Sequence, residues 1–122
     1  MAKIEKTHVE YVELKFSEHG MELKLPVNIW TFIKLDKAVS HPKRGFVDRL
    51  CVSTNIDYRP VGSAIFHKHE TWETLVFPAK GDRPDLSAEA FFDIDGGKGQ
   101  SNLRGALKGH FKVVDNVLHK HD

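Results

Sequence analysis

The alternation on either side of Gly20 constrains this chain more than any other stretch. Val12, Leu14 and Phe16 alternate with Glu13 and Lys15, and Met21, Leu23, Leu25 and Val27 alternate with Glu22, Lys24 and Pro26. A period of two puts each apolar set on one face of an extended strand. Ser17-Glu-His-Gly20 supplies a turn between the two runs, so the pattern predicts an antiparallel hairpin. Pro26 brings no N–H and belongs at a strand end or on an edge.

Further along, Val47 to Ile56 reads as a strand with Leu50, Val52, Thr54 and Ile56 on one face. Trp72 to Phe77 reads as the next, starting as early as Ala64 and stopped by Pro78, and Ala88 to Ile94 as a short one. Residues 101–118 give the clearest helix. Ser101 can cap it, and Leu103, Leu107, Phe111, Val114, Val117 and Leu118 fall within one apolar arc. Arg104, Lys108 and Lys112 form a basic stripe opposite. The stretch Asn28–Val39 carries two signals. Asn28 suits an N-cap with Ile29, Phe32 and Ile33 at helical spacing, whereas the β-branched and aromatic content favours a strand. The capping pattern is preferred here, which predicts a short helix. The fold expected is a single α+β domain over residues 1–122: a mainly antiparallel sheet of about five strands, a C-terminal amphipathic helix and a short helix near 28–39.

At 122 residues the chain has the size of one domain. Cys51 is the single cysteine, which excludes an internal disulfide framework and fits a reducing compartment. Its strand position suits a small buried hydrophobe, while a catalytic thiolate would need a histidine and an electropositive setting. No apolar run approaches the ~18 residues that span a bilayer. The first residues lack the apolar stretch of a signal peptide, so no membrane partner and a cytoplasmic location are expected. The net charge of +1 argues against general nucleic-acid binding. Charge is nonetheless uneven. Residues 57–95 hold eight acids against four bases, and residues 98–122 hold five bases, two acids and three histidines. That asymmetry suits either an internal match between sheet and helix or a partner surface.

Among the groups able to carry chemistry, His67-x-His69 places two imidazoles on one face of a strand. Such a pair can share a metal when a third ligand joins it, or it can sit solvated beside Lys68. His110 falls inside the apolar arc of the helix, where an isolated charge would be costly. It is then either a core histidine bonded to a backbone carbonyl or strand residue, or a helix histidine aimed at Asp57 or Glu73 across a ligand pocket. The glycines of Asp95-Gly-Gly-Lys-Gly-Gln-Ser-Asn102 precede a helix, but the full phosphate-loop pattern is absent.

Three of these segments together resemble a family of small phage- and prophage-encoded proteins. Val52-Ser-Thr54 leads to Asp57, Glu73-Thr-Leu-Val-Phe77 follows, and a helix contains Ala106-Leu-Lys-Gly-His110. The family pattern runs Val-Ser-Thr, a short apolar stretch and Asp-His, then Phe-Glu-Thr-Met-Val-Phe, then Ala-x-x-Gly-His. Residues Asn28 to Leu35 resemble the helix that precedes its Val-Ser-Thr strand. The likeness spans roughly residues 20–117 through about a dozen positions. It departs at Tyr58, where the family tends to histidine, in a shorter interval from Val52-Ser-Thr54 to Asp57, and at Asn102 and Arg104, where the family is acidic. The resemblance implies a phage or mobile-element accessory protein with no assigned catalytic reaction.

The function expected is therefore a non-enzymatic binding role, with no catalytic residue, resident metal or cofactor, and with homo-oligomerisation as one mode of action. The candidate ligand-binding residues are Asp57, Glu73, Thr74 and His110, with Arg104 and Lys108 as phosphate contacts if the ligand is a sequestered signalling nucleotide. Two alternatives stand beside it: a metal-dependent hydrolase using His67 and His69, and a nucleic-acid-binding accessory using the basic helix, whose binding would weaken steeply with salt.

Overall fold

A computed structural model of the chain describes residues 1–16, 20–57, 71–91 and 103–121. Strands β1 (Lys3–Phe16), β2 (Met21–His41), β3 (Gly45–Asp57), β4 (Thr71–Lys80) and β5 (Arg83–Pro84) form one antiparallel sheet in chain order, and helix α1 (Leu103–Lys120) covers one face. The hairpin around Gly20 is present, with Phe16 paired to Met21 and Glu13 to Lys24. Gly20 has a φ of 60°, in the left-handed region that glycine enters without penalty. The expected α+β domain is thus observed, and no helix of the described residues is long and apolar enough to cross a membrane.

The short helix expected near 28–39 is instead the middle of β2. Ile29, Thr31, Ile33 and Leu35 are buried on the side facing α1, and Phe32 is fully buried on the other. A central strand covered on both faces reads as a continuous apolar run, so the helical spacing of Ile29, Phe32 and Ile33 carries no helix. Asn28 does not cap; its side chain bonds across the strands to Glu10 and Asn55.

β4 also continues past Pro78, which pairs in register with Leu50. The Pro78 carbonyl accepts the Asp85 amide at 2.8 Å. The N and C=O of one strand residue point to the same side, so the missing N–H faces β5 and the ladder to β3 loses nothing. Residues 88–91 carry no strand, but the Phe91 amide bonds the Val76 carbonyl at 2.9 Å and buries the ring in the core. The remainder of that expected strand, 92–94, lies outside the described residues, as do Ser101 and the glycine-rich 95–102 segment.

Two polar stitches hold the segment after β5. Arg44 Nε donates to Asp85 Oδ2 and its Nη2 to Ser87 Oγ, each at 2.7 Å, while Ser87 Oγ donates to Asp85 Oδ1. The Arg44 guanidinium and the Ser87 hydroxyl hold the Asp85 carboxyl well below the usual carboxylate range. His41, buried, accepts the Lys43 amide at Nδ1, so its Nε2 carries the proton donated to the Glu89 carbonyl at 2.6 Å. Its ring meets Phe91 edge-on.

The main core joins Ile33, Leu35, Leu50, Val52, Val76 and Phe91 to Val113, Val114 and Val117 of α1. Leu50 is 0 % exposed at its centre. Leu50→Ala should cost about 2–5 kcal/mol of folding stability, read as a lower urea midpoint at unchanged slope. A loss below about 1 kcal/mol would mean that the site collapses and does not organise the core.

Candidate functional site

The sheet separates two sets of polar side chains. On the helix side, His110 is 0 % exposed. Its Nε2 lies 2.7 Å from Thr31 Oγ1 and its Nδ1 2.7 Å from Thr54 Oγ1. Thr31 Oγ1 is in turn 3.0 Å from Thr7 Oγ1, and Thr54 Oγ1 is 2.7 Å from Thr74 Oγ1. One chain of hydrogen bonds therefore runs Thr7–Thr31–His110–Thr54–Thr74 and ties α1 to four strands. Burial lowers the His110 pKa to about 4, so the ring is neutral at pH 7. A neutral imidazole donates through one nitrogen and accepts through the other. The threonine beside the accepting nitrogen must then donate to the ring and accept from its own threonine neighbour, while the threonine beside the donating nitrogen accepts from the ring.

This bonding explains which helix face is buried. Ala106, His110, Val113, Val114 and Val117 face the sheet, while Leu107 and Phe111, placed in the apolar arc by spacing alone, are 38 % and 45 % exposed. Anchoring His110 between two strand hydroxyls turns the helix so that its leucine and phenylalanine flank lies outward.

On the opposite side, a row of polar residues crosses four strands in register: Glu10, Asn28, Asn55 and Glu73. Glu10 Oε1 accepts from Asn28 Nδ2 at 3.0 Å, and Asn28 Oδ1 accepts from Asn55 Nδ2 at 2.9 Å. A carboxylate only accepts, so Glu10 sets the orientation of both amides. The row thus ends with Asn55, whose amide nitrogen is engaged and whose oxygen remains an acceptor, in register with the acceptor-only carboxylate of Glu73. Beside them lies a groove of about 350 Å³ lined by Trp30, Ser53, Leu75, Phe77, Pro84 and Leu86 as well as Asn28, Asn55 and Glu73. Among the described residues the lining includes no cation. Leu86 stands on its rim, held between Asp85 and Ser87 of the Arg44 stitch.

Further along the same face, Phe32 is roofed by two cations, Lys6 Nζ at 5.3 Å and the Arg49 guanidinium at 5.8 Å from the ring centre. Glu5 bonds Arg49 at 2.8 Å and Asp82 bonds Lys6 at 2.5 Å, so β1 and the β4–β5 turn meet over the ring. Cys51 pairs with Phe32 in register beneath this roof, and burial pushes its thiol up to about 12. It is a packed hydrophobe, not a nucleophile.

The candidate residues named from sequence therefore do not form one pocket. Thr74 and His110 are joined through Thr54 on the helix side, while Glu73, the next residue along β4, is exposed on the groove side. The alternation of β4 makes the two faces exclusive. Lys108 is exposed on α1, away from the groove. Asp57 pairs with Thr71 at the end of β3 and Arg104 lies in the first turn of α1; their side chains fall outside the described ones. His67 and His69 lie outside the described residues altogether. Sequence reasoning missed Trp30, Asn28 and Asn55, whose common face becomes visible only once Asn28–Leu35 is read as a strand. Comparison with protein-family models, curated proteins and solved structures finds no match to this chain.

The buried histidine carries a pH signature. The folded pKa of about 4 lies below the ordinary value of 6.5, so above about pH 6.5 neither the folded nor the unfolded ring is charged. Between about pH 6.5 and 4 only the unfolded ring takes up a proton, and stability falls as pH falls, by about 3 kcal/mol over the whole window. His110→Leu should remove that part of the pH dependence in urea titrations at about pH 7 and about pH 5. Equal pH slopes for the variant and the parent would exclude a neutral buried ring.

Proposed function

We propose that the protein is a non-enzymatic binding protein that takes a small ligand in the groove beside Trp30, in an accessory role of the phage or mobile-element kind that its Val52-Ser-Thr54 and Glu73–Phe77 motifs resemble. The observation that carries the reading is the acceptor pair formed by the Asn55 carbonyl and Glu73 next to an apolar wall. Two adjacent acceptors are matched by a group that presents two donors, such as an ammonium, an amidinium or a pair of neighbouring hydroxyls. Trp30, Leu75 and Phe77 offer flat apolar area to the body of such a ligand. A volume of about 350 Å³ lies in the range of small-molecule sites.

The ligand class is thereby a neutral or cationic molecule with a donor edge and an apolar face. A nucleotide is a poorer fit to the described lining residues, none of which is a cation for a phosphate. Glu73 remains a ligand-binding residue, and Arg104 and Lys108 belong to a different element.

Calorimetric titration of aromatic amines, amidines, saccharides and cyclic nucleotides tests the assignment. A donor-bearing compound should bind, and Glu73→Gln should weaken it at least about tenfold, the value of one hydrogen bond to a charged acceptor. Trp30→Ala should weaken it similarly. Binding that survives both substitutions, or no binding by any donor-bearing member, overturns the assignment.

A further inference from the structure

β1 is an edge of the sheet, and among the described residues nothing pairs with its outer side. It is 14 residues long. An edge of that length, free of proline, is a template for another strand unless its side chains prevent it. Single-sign charges would repel a second copy, but β1 mixes Lys3, Lys6, Glu10 and Glu13 with the exposed apolar residues Ile4, Tyr11 and Val12.

The order of those residues favours one arrangement. Strands from two copies related by a two-fold axis pair antiparallel, and only residues on the same face can oppose each other. With the axis at His8, Lys6 of each copy faces Glu10 of the other and Thr7 faces Val9. Glu5 sits at an irregularity between Ile4 and Lys6. With Glu5 bulged, the next opposed pair is Ile4 and Tyr11, which are 49 % and 57 % exposed in the monomer. Moving the axis to Thr7 sets Lys6 against His8, and moving it to Val9 sets Lys6 against Val12. Of these three axes only the one at His8 opposes Lys6 to Glu10, and symmetry supplies that pair twice.

We propose that the protein self-associates through β1, forming a symmetric dimer with a continuous ten-stranded sheet and Lys6–Glu10 pairs on either side of His8. Lys6 also serves Asp82, and Glu10 also serves Asn28, within each copy. The interface therefore borders the polar row that ends at the groove. A single strand pair buries area at the low end of specific interfaces, so the dimer is concentration-dependent.

Sedimentation equilibrium of the full chain over a wide concentration series tests this directly. The parent should pass reversibly from 13.9 kDa to twice that mass. Lys6→Glu and Glu10→Lys alone should each raise the dissociation constant at least about tenfold, because attraction becomes repulsion in both symmetric pairs. The double reversal recreates opposite charges across the axis and should restore the parental constant. Thermal melts of all four proteins, compared at the dilute end, separate loss of pairing from loss of folding. A parent that stays monomeric at every concentration overturns the proposal, as does a folded single variant that dimerises like the parent.

Discussion

Two hydrogen bonds from one imidazole set how the helix lies on the sheet. The valines of α1 would pack nearly as well at several rotations, since dispersion and burial have no direction. His110 does have direction, because both ring nitrogens must find partners once buried. Thr31 and Thr54 supply them from paired strands without being directly opposite each other, Thr31 pairing with Val52 and Thr54 with Ile29. A one-residue slip between β2 and β3 would carry a threonine to the far face and strand the ring. Helix rotation and strand register are thus coupled through one side chain.

That coupling divides the molecule's labour by face. The helix side is closed, and its polar groups satisfy one another along the threonine chain. Among the described residues, the groove side is closed where Lys6 and Arg49 roof Phe32 and Cys51. Its Glu10–Asn28–Asn55–Glu73 row lines the groove from Asn28 onward and ends in acceptors that no described side chain satisfies. The buried relay belongs to stability, and the open row is where the proposed ligand would bind.

The hairpin at Gly20, the strand character of Leu50–Ile56 and the C-terminal helix were legible because each has a clean period. The Asn28–Val39 stretch was not. Ile29, Thr31 and Ile33 bury on one side and Phe32 on the other, which erases the alternation that marks a half-exposed strand. The candidate site suffered from the same ambiguity, since reading a helix there hides the face shared by Asn28, Trp30, Asn55 and Glu73. His110 was legible as a buried histidine on a helix. Its partners were not, because Thr31 and Thr54 lie 79 and 56 residues away and threonines in a strand look like ordinary β-formers. Leu107 and Phe111 misled for the opposite reason: hydrophobic spacing locates an apolar arc but not the centre that a directional bond selects.

The Arg44–Asp85–Ser87 stitch has a kinetic side. Leu86 sits on the rim of the groove between two residues that one guanidinium holds together. A rim built on an untethered loop would have to be ordered afresh at each encounter, and that entropy would be taken from the affinity. Here the wall already stands in the free protein. Arrival of the proposed ligand would then be governed by diffusion and by stripping water from Trp30 and Leu75, and its affinity would be expressed mainly in how slowly it leaves.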